Sequence, residues 1–186
     1  MTTQIRILGI AGSLRRESYN RAALRAATQL APAGATVETF ELDGIPLFNQ
    51  DEEQNPPPKV TELKRRIREA NAILFVTPEY NWSVSGVLKN AIDWASRPHG
   101  DSAWDGKPVA IMGATPGAIG TARAQNHLRQ ILAYLNMFPI NQPEVLISHA
   151  TDRFDQEGNL TDAATRERVI ELLQNLADWT RRIGPK

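Results

Sequence analysis

Residues 5–30 read IRILGIAGSLRRESYNRAALRAATQL, and this stretch decides the fold. The apolar and β-branched run Ile5–Ile10 predicts a strand, which ends at the Gly12-Ser13 turn. Small and apolar residues then recur at helical spacing over Asn20–Leu30, so a helix follows the turn. A strand that leads through a short glycine turn into a helix is typical of α/β proteins.

The same alternation continues along the rest of the chain. Further strands are predicted over residues 35–42, 72–76, 108–112 and 145–147, and further helices over 60–70, 87–95, 122–135 and 169–183. Five strands alternating with five helices predict an α/β fold, a single doubly wound five-stranded parallel sheet with helices on both faces. The simplest such sheet has the flavodoxin-like strand order 2-1-3-4-5. Because no linker or internal repeat interrupts the pattern, we expect one domain over residues 1–186.

Composition and charge exclude several classes of function. In 186 residues, 21 Lys and Arg balance 21 Asp and Glu, so the formal net charge is zero. A nucleic-acid reader carries a cationic excess, and binding to an anionic membrane needs basic clusters. The longest apolar runs are also far too short to span a bilayer. We therefore expect neither nucleic acid nor membrane as a partner.

The cysteine and histidine content excludes further kinds of functional site. The chain has no cysteine, which excludes disulfides, thiolate nucleophiles and cysteine-ligated metals. His99, His127 and His149 are too widely spaced to predict a metal site or a catalytic role. The beginning of the sequence lacks the basic leader and apolar run of an export signal, so we expect a cytoplasmic protein.

Three loops at the carboxyl ends of predicted strands are the candidate ligand-binding segments, because ligands of such sheets bind at that edge. The first loop is Gly12–Asn20, the second Pro78–Ser83 and the third Gly113–Gly120. In the second loop, an aromatic residue and an amide can flank a planar heterocycle, although an ordinary turn has the same composition. In the third, three glycines allow close backbone approach to a flat ligand, although they also suit a flexible connection.

The first loop has the composition of a phosphate site. Ser13, Ser18 and Asn20 supply short polar groups, Arg15 supplies a charged fork, and a helix start supplies free N–H groups. The alternative is that Ser18 or Asn20 only caps the helix. Neither the dinucleotide fingerprint nor the Walker A pattern is present, and the loop therefore suits a terminal monophosphate.

Taken together, these segments resemble the NADPH-dependent FMN reductase family, and within it the bacterial chromate and quinone reductases. The resemblance covers nearly the whole chain. It is carried by Gly12-Ser13-Leu14-Arg15 with Ser18 and Asn20, by Pro78-Glu79-Tyr80-Asn81, and by the stretch GVLKNAIDWASRP at residues 86–98. It implies a flavodoxin-like fold, bound FMN, and electron transfer from NADPH or NADH to quinones, chromate, azo compounds or free flavin. It further implies a homodimer or homotetramer, for which the helices over 86–96 and 122–135 are the candidate interfaces.

The resemblance also implies roles for residues of the three loops. Those expected at the FMN phosphate are Ser13, Arg15, Ser18 and Asn20, and Leu14 is counted with them as cofactor-binding. Pro78, Glu79, Tyr80 and Asn81 are expected to border the isoalloxazine, and Thr115, Pro116 and Gly117 to lie along its pyrimidine side. Pro116 departs from the small or polar residue expected there. Because the flavin carries the chemistry, no catalytic side chain is expected.

Two other functions fit the same sequence. One is a non-enzymatic electron carrier of the flavodoxin type, which receives electrons from a protein partner instead of a nucleotide. Such carriers are commonly strongly acidic, and a net charge of zero argues against this alternative. The other is a nucleotide-binding module without redox activity.

Overall fold

The computed structural model describes residues 4–184 and shows strands and helices in alternation. The expected domain of residues 1–186 extends beyond these residues at both ends. The strands are β1 (Ile5–Ala11), β2 (Ala35–Phe40), β3 (Ala72–Val76), β4 (Pro108–Ala114), β5 (Phe138–Pro139) and β6 (Val145–Ile147). The helices are α1 (Tyr19–Gln29), α2 (Pro58–Glu69), α3 (Gly86–Ala95), α4 (Ala122–Tyr134) and α5 (Ala163–Ile183).

Every strand pair in the sheet is parallel, and the order is β2-β1-β3-β4-β5, with β6 also paired to β4. This confirms the predicted doubly wound architecture. The central strand β3 lies between β1 and β4, so the three candidate loops, which follow β1, β3 and β4, are neighbours at one edge.

The fifth position of the sheet differs from the prediction of one strand. Two short strands share it: β5 pairs with the beginning of β4, and β6 with its end. Phe138 N donates to Lys107 O and Ile140 N donates to Val109 O, both at 2.9 Å, before the chain leaves the sheet. Pro143, in the segment between β5 and β6, lacks the N–H that a continuous strand needs, which explains the interruption.

Alternate residues of the strands face opposite layers of helices. Ile7, Leu74 and Val76 belong to the core under α1 and α5. On the opposite face, the core under α2, α3 and α4 includes Ile73 and Phe75. All five residues of β3 are buried, which explains why this strand is continuously apolar.

No helix within residues 4–184 combines the length and the apolar character needed to cross a membrane.

Candidate active site

The first loop connects β1 to α1 and leaves backbone N–H groups available to an anion. Ser18 caps α1, and its Oγ accepts from Asn20 N at 3.2 Å. The buried Ser13 Oγ accepts from Arg15 N at 3.3 Å. Within residues 4–184, the backbone N–H groups of Leu14, Arg16 and Glu17 have no protein acceptor. Free N–H groups beside a helix start form an anion-binding site.

Arg15 lies in the same loop with its charge available to a ligand. Its guanidinium donates to the neutral Glu17 carbonyl and lies 6.0 Å from the centre of the Tyr19 ring. The side chain is exposed to solvent. A bidentate, charge-assisted contact with a phosphate is therefore open to it.

Asn20 has different partners from those expected. Its Nδ2 donates to Ala114 O and its Oδ1 accepts from Ala114 N, both at 2.9 Å. The side chain is buried and ties the beginning of α1 to the end of β4. These contacts use the oxygen and one N–H of the amide, and the role of Asn20 as a phosphate donor stays a prediction.

The second loop forms a tight two-residue turn that exposes two aromatic rings. Tyr80 and Ser83 exchange backbone hydrogen bonds of 3.1 and 2.9 Å. Between them, Asn81 and Trp82 both have positive φ angles, of 50° and 65°. Tyr80 is 55% exposed and Trp82 is 70% exposed, whereas Pro78 is buried. The turn therefore presents Tyr80, Asn81 and Trp82 at the edge of the sheet.

Glu79 binds α4, which no sequence pattern indicated. Its Oε2 accepts from Arg123 N at 3.0 Å and from Ala124 N at 3.1 Å. The Arg123 guanidinium lies 3.5 Å from Oε1 and 4.1 Å from the centre of the Trp82 ring. Ser83 Oγ lies 2.8 Å from His127 Nδ1. The second loop is thereby fixed to the first two turns of α4.

The third loop is exposed at the rim, and its backbone is bonded to the chain around and after β6. Thr115 N donates to Ile147 O at 3.0 Å, and Gly117 O accepts from His149 N at 3.1 Å. Thr115 O accepts from Ala150 N, and Thr115 Oγ1 accepts from Gly117 N at 3.3 Å. Pro116 and Gly117 are exposed. At the base of the loop, a Cβ at Gly113 would overlap Thr121 Oγ1 and Thr77 O. The close packing of β3 and β4 at this edge therefore requires glycine.

Ser85 is a further residue of the site that the sequence did not single out. Its Oγ donates to Gly12 O at 2.6 Å and also accepts from Leu88 N at 3.3 Å, capping α3. A serine before a helix indicates a cap. Its contact with Gly12, 73 residues away, leaves no pattern in the sequence.

All twelve predicted site residues therefore lie on three neighbouring loops, although the side chains of Asn20 and Glu79 bind partners outside their own loops. In the part of the chain that the structure describes, no group of three His, Asp or Glu side chains could hold a metal ion.

The family model described as NADPH-dependent FMN reductase matches residues 5–152. The chain belongs to this family. Among similar proteins, an NAD(P)H-dependent FMN reductase of Pseudomonas aeruginosa is 52% identical over 184 residues, covering 98% of this chain and 99% of that protein. A 2-hydroxy-1,4-benzoquinone reductase of a Burkholderia species is 45% identical over 177 residues, covering 95% of this chain and 97% of that protein.

A solved structure gives the same result for the fold. The flavoenzyme NAD(P)H:(acceptor) oxidoreductase FerB of Paracoccus denitrificans superposes with a TM-score of 0.89 at 34% identity, covering 97% of this chain and 100% of that one. This NADPH-dependent FMN reductase is therefore an oxidoreductase with a flavodoxin-like fold, FMN as cofactor and NAD(P)H as electron donor. This confirms the family, the fold and the reaction class inferred from the sequence.

Proposed function

We propose that this FMN reductase passes electrons from NAD(P)H to quinones, with FMN bound across the three loops. The observation that carries the proposal is the start of α1. There, free N–H groups of Leu14, Arg16 and Glu17 lie beside the Ser18 cap and the Arg15 guanidinium. This donor set fits a terminal phosphate dianion.

The other loops fit a flat ring system. We propose that Tyr80 and Asn81 border the isoalloxazine, and that the backbone over Thr115, Pro116 and Gly117 lies along its pyrimidine side. The exposure of Tyr80, and that of Pro116 and Gly117 in the third loop, support this arrangement. Bound FMN supplies hydride acceptance and electron transfer, so the chain itself needs no nucleophile or acid–base pair. Its residues bind and orient the ring and limit the access of water.

The names of several relatives support quinones as acceptors. Besides the bacterial reductases above, an NADPH:quinone oxidoreductase of Arabidopsis thaliana is 43% identical over 189 residues, covering 98% of this chain and 95% of that protein. Chromate, azo compounds and free flavin remain further candidate acceptors. A non-enzymatic carrier is disfavoured, because the named relatives use a nicotinamide nucleotide as donor.

We also propose that the protein is a homodimer or homotetramer of the cytoplasm, where NAD(P)H is available. Large exposed apolar side chains support self-association, since Trp82 beside the site is 70% exposed and Tyr134, at the far end of α4, is 80% exposed. The candidate interfaces are the surfaces of α3 and α4. Sedimentation of a monomer at micromolar concentration would overturn this part of the proposal.

The function is tested by anaerobic stopped-flow mixing of the FMN-loaded protein with NADPH or NADH. We expect rapid loss of the flavin absorbance at about 450 nm, and its return when a benzoquinone is added. A protein that retains no FMN would overturn the proposal. Flavin that stays oxidised with both nucleotides would instead indicate a carrier.

A further inference from the structure

The side chain of Asn20 replaces a strand residue at the end of β4. β3 pairs with β4 as far as Val76 and Met112, and Thr77 N still donates to Met112 O. The chain then turns away at Pro78. Asn20 Oδ1 accepts from Ala114 N, and Asn20 Nδ2 donates to Ala114 O, both at 2.9 Å. A primary amide carries the same donor and acceptor as a peptide group and can satisfy both.

Burial makes these two hydrogen bonds important. Asn20 is 4% exposed and Ala114 is 3% exposed. A buried peptide group that loses its partner keeps the full cost of desolvation. The backbone of Ala114 is thus held in place by a side chain that lies 94 residues earlier in the sequence.

The two ends of this contact belong to different loops of the site. Asn20 ends the first loop, which also carries Ser18 and Arg15, whereas Ala114 directly precedes Thr115 in the third loop. We propose that Asn20 is a positioning residue that fixes the third loop relative to the first, and that it is not a phosphate ligand. This inference rests on the proposed function, in which the first loop binds the phosphate and the third borders the ring.

The comparison of FMN with riboflavin tests the inference, because riboflavin has the same ring system and lacks the phosphate. A phosphate ligand contributes only to FMN binding, whereas a residue that positions the third loop contributes to both. We therefore measure dissociation constants of both flavins for the full chain and for Asn20→Ala, by quenching of flavin fluorescence.

We expect Asn20→Ala to weaken both flavins by about 10-fold or more, with a ratio of the two constants unchanged within about twofold. Asn20→Asp keeps the shape and the acceptor but places a carboxylate against Ala114 O, and we expect the same pattern. A loss confined to FMN would show that the second N–H of Asn20 reaches the phosphate, and would overturn the inference. Unchanged binding of both flavins would overturn it as well.

Asn71→Ala is the matched control for general loss of stability. Asn71 Oδ1 accepts from Arg6 N at 2.8 Å at the amino end of the sheet, far from the three loops. We expect this variant to lose stability without a change in either flavin constant. If it weakens flavin binding as much as Asn20→Ala does, the positioning role is refuted.

Hydrogen exchange tests the contact without any flavin. In Asn20→Ala the Ala114 amide is expected to exchange faster than in the unaltered protein, because its buried acceptor is gone. Unchanged exchange at Ala114 would overturn the inference. A protein that binds neither flavin would refute the proposed function, whereas exchange at Ala114 decides the positioning role independently.

Discussion

The carboxylate of Glu79 caps α4 through the backbone of Arg123. Oε2 lies 3.0 Å from Arg123 N, and Thr121, the residue before the helix, has a φ of 67° and a side chain that makes no capping hydrogen bond. A helix needs acceptors for its first N–H groups, and a negative charge there is favourable. The second loop therefore supplies the hydrogen-bond acceptor that the start of α4 lacks, and the conformations of the two segments are coupled.

Replacing Glu79 is expected to destabilise the protein. Glu79→Ala should lower the free energy of unfolding by about 1–2 kcal/mol, because two helix N–H groups lose their acceptor. Urea denaturation measures the change. The matched control is Glu62→Ala on α2, where an exposed ion pair with Lys59 is lost. We expect the control to cost less than about 0.5 kcal/mol. Equal losses in the two variants would contradict the capping role.

Gly113 and Gly86 should respond in opposite ways to a methyl group. A Cβ at Gly113 would overlap Thr121 Oγ1 and Thr77 O, whereas a Cβ at Gly86 meets no atom within 4 Å. Gly113→Ala should therefore destabilise the fold by about 2 kcal/mol or more. Gly86→Ala, in the first turn of α3, should be neutral or stabilise by up to about 1 kcal/mol. Thermal unfolding of the two variants distinguishes these outcomes.

Arg15 should contribute to the binding of the FMN phosphate and not to that of the ring system. Arg15→Ala is expected to weaken FMN binding by about 1.5–3 kcal/mol, roughly 10- to 150-fold, through loss of a charged contact. Riboflavin affinity should stay unchanged, which is the internal control. Flavin titration of the full-length variant gives both constants. FMN retention equal to that of the unaltered protein would remove Arg15 from the phosphate site.

Asp101 should make the stability of the protein depend on pH. A hydrogen bond from Lys64 at 2.7 Å lowers the pKa of Asp101 below 3.8, and Arg68 adds to this against the opposing effect of burial. A lowered pKa in the folded state means that the stabilisation is present above 3.8 and is lost as pH falls through the folded value. Asp101→Asn should therefore cost about 1 kcal/mol at pH near 7, a modest value because water screens the exposed carboxylate.

The difference between this variant and the unaltered protein should shrink at pH values below 3.8. Urea denaturation at neutral and acidic pH measures it. A cost that stays constant over this range would show that the substitution at Asp101 disturbs packing instead of charge.

Much of the fold could be predicted because a longer strand leaves a recognisable apolar run in the sequence. The run from Ala72 to Val76 is apolar throughout, which is typical of a strand covered on both faces, and the structure buries all five residues. By contrast, β5 has only two residues, one of them Pro139, and such a strand produces no periodic pattern.

That the three candidate loops are neighbours at one edge was also predictable, whereas the partners of their side chains were not. Short polar residues after β1 indicated a ligand at that edge, and the assigned contacts with FMN remain predictions. The partners of Asn20 and Glu79 depend on which strands become neighbours, and they lie 94 and 44 residues away in the sequence. A hydrogen bond of this kind has no local signature, because the same residue types also cap helices and form turns.

The interrupted fifth position of the sheet affects whether another protein molecule can add a strand at this edge. Phe138 and Ile140 both donate towards β4, so the backbone of Pro139 between them faces outwards, where it offers no N–H. On β6, the carbonyl of Leu146 already accepts from Ser148 N at 3.0 Å. This border of the sheet is therefore a poor template for a foreign strand, which disfavours edge-to-edge pairing on this side, whereas β2 is the edge on the other side.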